Sequence, residues 1–131
     1  MSALRGSEPC PCGSGTTYDA CCGPVVRNER PAATPEQLMR SRYTAYAVGE
    51  TDHLFRTWHP RTRPEDVAPD EALTWTGLEV LDAPPAEEDD GVVEFRAHWQ
   101  WQGQHGAIHE RSRFTRRAGR WVYVEGDVRE Q

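Results

Sequence analysis

Four cysteines fall within thirteen residues near the N-terminus, as Cys10-Pro11-Cys12 and then Cys21-Cys22, with eight residues between the two pairs. A segment of about fifteen residues cannot bury a core of its own, so the sulfurs themselves must hold it. Two disulfides would suit a small secreted protein, whereas a metal site suits a reducing compartment. Met1 to Pro9 has no apolar h-region, and no run approaches the roughly 18 apolar residues that cross a bilayer. A cytoplasmic location and no membrane partner are therefore expected. Adjacent Cys21 and Cys22 make a poor vicinal disulfide, and no C-x-x-C stands beside a βαβ pattern to support a thioredoxin-like role. Four thiolates at about 2.3 Å suit tetrahedral Zn²⁺ in a closed structural site, with iron as the competing ion. Gly13 and Gly15 permit positive φ beside the ion, and Ser14 reads as the cap of a helical turn from Thr17 to Ala20.

The whole chain, 131 residues, accommodates one domain plus a small module. Its 15 basic residues are all arginine against 21 carboxylates, a net charge of −6 that disfavours a nucleic-acid binder. Asp82, Glu87, Glu88, Asp89 and Asp90 concentrate the negative surplus in one loop. From Gln104 to Arg129 the balance reverses, with Arg111, Arg113, Arg116, Arg117, Arg120 and Arg129 against Glu110, Glu125 and Asp127, which leaves room for an anionic ligand or partner surface.

After a polar linker at Val25 to Ala33, Thr34-Pro35-Glu36-Gln37 supplies an N-cap, an N1 proline and a capping-box partner. The helix this starts should end at Gly49. A second short helix, capped by Thr51 or Asp52, would place Leu54, Phe55 and Trp58 at its apolar positions before Pro60, and a third helical turn is read near Pro64 to Ala72. From Leu73 the pattern turns to period two, giving strands at Leu73–Leu81, Val92–Gln102, Gln104–Arg116 and Arg120–Val128, with hairpin turns at Gln102-Gly103 and Ala118-Gly119. Helices followed by an antiparallel meander make an α+β fold. Parity puts Val93, Phe95, Ala97, Trp99 and Trp101 on the core side of the second strand. On the third, Ile108, Glu110, Ser112 and Phe114 oppose His109, Arg111 and Arg113. Bulky groups on both faces fit a curved sheet with helices in its concavity and a partner subunit, as in a homodimer, against the other side.

Two resemblances follow from these residues. Cys10-Pro11-Cys12-Gly13-Ser14-Gly15, Tyr18 and Cys21-Cys22-Gly23 resemble the SEC-C zinc motif, found in the SecA translocation ATPase and in small bacterial proteins. That resemblance implies Cys10, Cys12, Cys21 and Cys22 as ligands, Cys22 standing where the SecA version has histidine. Ser41-Arg42-Tyr43-Thr44-Ala45-Tyr46, Thr57-Trp58-His59-Pro60, Glu94-Phe95-Arg96-Ala97, His109 to Phe114 and Trp121-Val122-Tyr123-Val124 resemble the YchJ family of bacterial proteins. This implies a SEC-C motif at residues 1–26 and a domain at 27–131 similar to nuclear transport factor 2 (NTF2), a cone of helices on a curved sheet, with no activity to carry over.

Function is then expected first from an interaction module, a protein partner docking on the zinc knuckle while the cone serves as a rigid body. The alternative is a small-molecule-binding protein or isomerase- or dehydratase-like enzyme using a pocket in the cone. Tyr43, Tyr46, Trp58, His59, Trp99, Glu110, Arg111 and Arg113 are the candidate pocket residues. Arg42, His98, His109 and Asp127 complete the polar candidates. Neighbouring His109 and Glu110 point to opposite faces, so they cannot share a pocket unless a bulge intervenes.

Overall fold

The computed structural model describes residues 4–129. The first three residues of the Met1 to Pro9 segment, read as having no secretory signal, and the last two residues of the C-terminal domain lie outside them. The order is α1 (Gly23–Val26), α2 (Pro35–Val48), α3 (Thr51–Arg56), then β1 (Thr74–Asp82), β2 (Asp90–Trp101), β3 (Gln104–Arg117) and β4 (Arg120–Arg129). The strands form one antiparallel meander, β1-β2-β3-β4. No helix among the described residues is long and apolar enough to cross a membrane.

α2 starts where its sequence dictates. The Thr34 hydroxyl accepts from Gln37 N at 3.0 Å, and Gln37 Oε1 reaches back to accept from Ala33 N. It ends at Gly49, whose φ of 82° is left-handed. Along it Leu38, Met39, Ser41, Arg42, Tyr43, Thr44 and Ala45 are all buried. The helix has no solvated stripe at mid-length, because the cysteine loop, the sheet and α3 each take one side of it.

Both hairpins turn through paired positive φ, at Gln102-Gly103 (48° and 78°) and Ala118-Gly119 (50° and 78°), as the twist of a two-residue loop demands. A bulge between Arg113 and Phe114 shifts the β3–β4 register. β1 carries two further register shifts. The concave face collects Val93, Phe95 and Ala97 of β2 with Phe114 and Trp121 of the next strands, packed on Leu38, Met39 and Val25. Gly91 is tightly placed there: a Cβ would fall 2.3 Å from Pro35 Cγ and 3.6 Å from the Trp121 ring. Pro35 is rigid, so Gly91→Ala should cost about 2 kcal/mol or more by overpacking, read as a lower urea midpoint at unchanged slope.

Several expectations are corrected. The linker at Val25 to Ala33 opens with helix α1, which buries Val25 and Val26. Pro64 to Ala72 forms no helix: the carboxylates of Asp66 and Asp70 accept from Ala68 N and Ala72 N, and such side-chain turns compete with helical bonding. Phe55 is exposed beneath the Arg63 guanidinium, which lies 3.7 Å from its centroid. Trp101, at the sheet's end, is exposed as well. The turn before Cys21 is capped by Thr17, whose hydroxyl accepts from Ala20 N at 3.3 Å, while Ser14 turns to the sulfurs.

Candidate functional site

The cysteine loop folds back on itself through Cys10 N to Thr16 O (2.9 Å) and Tyr18 N to Glu8 O (2.9 Å). Gly13 and Gly15 adopt φ of 77° and 92°, as a tight return requires. All four sulfurs then lie within 4.8 Å of one another. Cys12 and Cys21 are 3.6 Å apart and Cys21 and Cys22 are 3.9 Å apart, far beyond a disulfide bond. Those separations fit the edge of a tetrahedron of thiolates around one ion, about 3.8 Å for metal–sulfur bonds of about 2.3 Å.

The chemistry around the sulfurs is arranged for negative charge. Ser14 Oγ donates to Cys21 Sγ at 3.2 Å, Thr44 Oγ1 stands 3.8 Å from Cys10 Sγ, and Arg40 Nη1 reaches Cys12 O at 3.0 Å and Cys12 Sγ at 3.7 Å. Glu36 orients that arginine through an i,i+4 ion pair. Hydrogen bonds from Cys12 and then Cys22 hold the Cys10 thiol down to about 3, while Cys10 and Cys12 together push Cys22 up. A dication would resolve this unequal sharing by taking all four as thiolates. Arg40 and Thr44 escaped the sequence reading because α2 is buried all round and shows no stripe that would single them out.

The second feature is a cavity of about 320 Å³ between α2 and the concave sheet. Met39, Tyr43 and Tyr46 of α2 form one wall with Trp58, which lies beyond the end of α3 in a bridge to Tyr123 and not at an apolar position of that helix as expected. Trp75, Phe95, Ala97, Ile108, Phe114 and Tyr123 form most of the rest. Arg42, Glu110, Ser112 and the Trp58 indole break that apolar lining. Arg42, 6% exposed, lies with its guanidinium carbon 4.8 Å from the Trp58 centroid and 4.7 Å from that of Tyr123. Its Nη1 donates to Leu54 O and to Thr57 Oγ1 at 2.8 Å. No carboxylate of the described residues pairs with it within 4.0 Å, and burial pushes its pKa down. Glu110 accepts from Ser112 Oγ and from Tyr123 OH at 3.1 Å. Trp58 Nε1 is buried with no acceptor.

Of the candidate pocket residues, Tyr43, Tyr46, Trp58 and Glu110 line this cavity, and the other four do not. His59 sits after α3, where its backbone N donates to Tyr123 O and its Nδ1 accepts from Arg61 N. Trp99 lies over Gly106 at the sheet's end. Arg111 and Arg113 belong to the convex face. There Arg111 pairs with Glu94 at 2.9 Å and Asp82 at 3.2 Å, and Arg113 with Glu125 at 2.8 Å and Asp127 at 3.3 Å. His109 bonds Glu94 and His98 bonds Glu79 on that same face, so His98, His109, Arg111, Arg113 and Asp127 are partners in a cross-strand lattice. Parity thus separates His109 from Glu110 as the sequence requires. Trp75 and Tyr123 went unrecognised as cavity walls, although Tyr123 shares its strand parity with Trp121.

Behind the cavity His53 is 1% exposed. Ser41 Oγ spends its hydrogen on Leu38 O at 2.7 Å, so His53 Nε2 is the donor in the 2.8 Å bond between them. Nδ1 keeps a lone pair with no partner. Burial, with Arg56 and Arg42 adding to it, lowers its pKa from 6.5 to about 3. Above pH 6.5 its contribution to stability is complete. As pH falls toward 3 the unfolded chain takes up a proton that the folded chain refuses, and stability declines by up to about 1.4 kcal/mol per pH unit. Urea midpoints should therefore fall less steeply between pH 6.5 and 4 in His53→Gln than in the native chain.

A helix-filled antiparallel cone carrying an N-terminal tetrathiolate site defines the class. Residues 34–126 match the family model of the middle, NTF2-like domain of YchJ, and residues 7–24 match that of the SEC-C motif. The chain belongs to the YchJ family. It is 47% identical over 123 residues to the UPF0225 protein SCO1677 of Streptomyces coelicolor, covering 92% of this chain and 96% of that one. The UPF0225 protein of Deinococcus radiodurans is 48% identical over 119 residues, 90% and 88% of the two chains. Among solved structures, the SEC-C motif protein RPA3114 of Rhodopseudomonas palustris superposes with a TM-score of 0.82 at 39% identity, over 92% of this chain and 98% of that one. A SEC-C motif protein of Psychrobacter arcticus shares the fold at a TM-score of 0.76 and 24% identity, over 96% and 85%.

Proposed function

We propose that this chain is a small-molecule-binding protein whose cysteine knuckle is a structural zinc site. The observation that carries the reading is the cavity: apolar and aromatic walls, a buried arginine with no carboxylate in ion-pair reach and an indole N–H with no acceptor among the described residues. Such a site favours a small, mainly apolar ligand bearing a carbonyl or carboxylate, whose oxygens would meet Arg42 and Trp58 Nε1. Glu110, already held by two hydroxyl donors, would accept from a donor on the ligand's other side.

Zinc is the ion proposed because four sulfur ligands with no fifth group fit a closed tetrahedral site. Its role is to seat the loop on the helical wall, since Cys10, Cys12 and Cys22 share one core cluster with Tyr43 and Ala97. The adaptor reading rests with the exposed outer turn, Gly13 to Thr16, because the knuckle's inner face is taken up by packing. Titration of the zinc-loaded protein with 2-naphthoate, followed by tryptophan fluorescence, tests the proposal. A saturable change supports it. A response that stays linear with concentration counts against it.

A further inference from the structure

A second concavity, of about 550 Å³, opens on another side of the molecule, between the α1 segment, α3 and the β3–β4 turn. Four arginines line it, Arg30, Arg56, Arg117 and Arg120, and no aspartate or glutamate does. In a chain of net charge −6 that local excess of four positive charges needs a reason. Two of the four are already positioned: Arg56 Nη2 donates to Val26 O at 3.2 Å and Arg120 Nη1 to Asn28 Oδ1 at 3.2 Å. Arg30 and Arg117 form no ion pair among the described residues, in contrast to Arg111, Arg113 and Arg116, which all do. Of the six arginines of the C-terminal stretch, three therefore go to carboxylates and two to this cleft, while Arg129 ends β4 outside it.

The second observation is His53. It is one of the residues lining the same cleft, and its Nδ1, buried and without a partner among the described residues, is an acceptor because the Ser41 bond makes Nε2 the donor. A ligand that satisfies the whole site must offer anionic oxygens to guanidinium groups and one O–H to an imidazole lone pair. Sulfate is fully deprotonated near neutral pH and has no such hydrogen, and neither has a phosphodiester. A phosphate monoester in its monoanionic form, or inorganic phosphate, has both. Leu38, Trp121 and Val122 add an apolar flank on which the organic part of an ester can rest.

We infer that the arginine-lined cleft is a binding site for a phosphate monoester, distinct from the apolar cavity and independent of it. Calorimetric titrations of the zinc-loaded protein at pH 6 and constant ionic strength test this with four probes: inorganic phosphate, phenyl phosphate, sulfate and a short single-stranded RNA. Phosphate and phenyl phosphate are expected to bind, phenyl phosphate the more tightly, and sulfate at least about tenfold more weakly than phosphate. Arg30→Gln with Arg117→Gln, two exposed side chains whose loss leaves the core untouched, should weaken phosphate at least about tenfold. His53→Gln, checked for folding by its unfolding midpoint, should narrow the preference for phosphate over sulfate. Equal binding of sulfate and phosphate, no effect of the arginine pair, or RNA binding tighter than phenyl phosphate would each overturn the assignment. Binding of 2-naphthoate in the cavity is unaffected by any of these outcomes.

Discussion

Removal of the proposed zinc, by a chelator or through Cys12→Ser, is expected to lower the unfolding midpoint of the whole chain by about 10 °C or more, in one transition. Structural zinc in isolated finger peptides is worth about 10–16 kcal/mol, most of it spent on folding the loop itself. If only about 3 kcal/mol reaches the cone, a chain of this size loses about 11 °C. It should reach the cone because the knuckle has no core apart from it. Cys12 is fully buried, Cys22 is 1% exposed, and both lie against Val26, Tyr43 and Ala97. Arg40 and Arg56 add hydrogen bonds from the helices to Cys12 O and Val26 O. Differential scanning calorimetry distinguishes the alternatives: two separate transitions, with the upper one unmoved by the chelator, would mean that the knuckle is an independent appendage.

Arg42→Met should leave stability within about 2 kcal/mol of the native value while weakening 2-naphthoate binding at least about tenfold. Methionine nearly matches the arginine stem in volume and removes a charge whose burial is costly. Against that gain, Leu54 O and Thr57 Oγ1 each lose a donor. The two effects roughly cancel for folding, whereas a ligand oxygen loses its charge-assisted partner with nothing in return. A variant that is strongly destabilised, or one that binds 2-naphthoate as the native chain does, would place Arg42 in the framework instead of the site. Urea denaturation together with the fluorescence titration reads both quantities.

Local chemistry made much of this legible in the sequence. Thr34, Pro35 and Gln37 announce α2, Gly49 ends it, and two X-Gly pairs mark the hairpins, since each of these residues acts through its own backbone or its nearest neighbours. Pro64 to Ala72 was misread because Pro64 and Asp66 resemble a helix start, while the turns that Asp66 and Asp70 form are decided by the loop's path across α3. Strand parity was the better guide to the cavity. It put Glu110 inward and His109, Arg111 and Arg113 outward, and the two arginines named as pocket candidates against that parity lie on the convex face. The arginine cleft was invisible for another reason: Arg30, Arg56 and the hairpin pair Arg117 and Arg120 come from three separate segments, and only the fold brings them together.

The central claim, a zinc-stapled cone with a ligand-accepting interior, is tested most directly by the five tryptophan indole N–H resonances. A two-dimensional NMR titration of the zinc-loaded protein with 2-naphthoate should shift the Trp58 and Trp75 signals together to saturation. Trp101, exposed at the sheet's end and away from the cavity, should not move. Unmoved Trp58 and Trp75 signals, or shifts led by Trp101, would contradict the account.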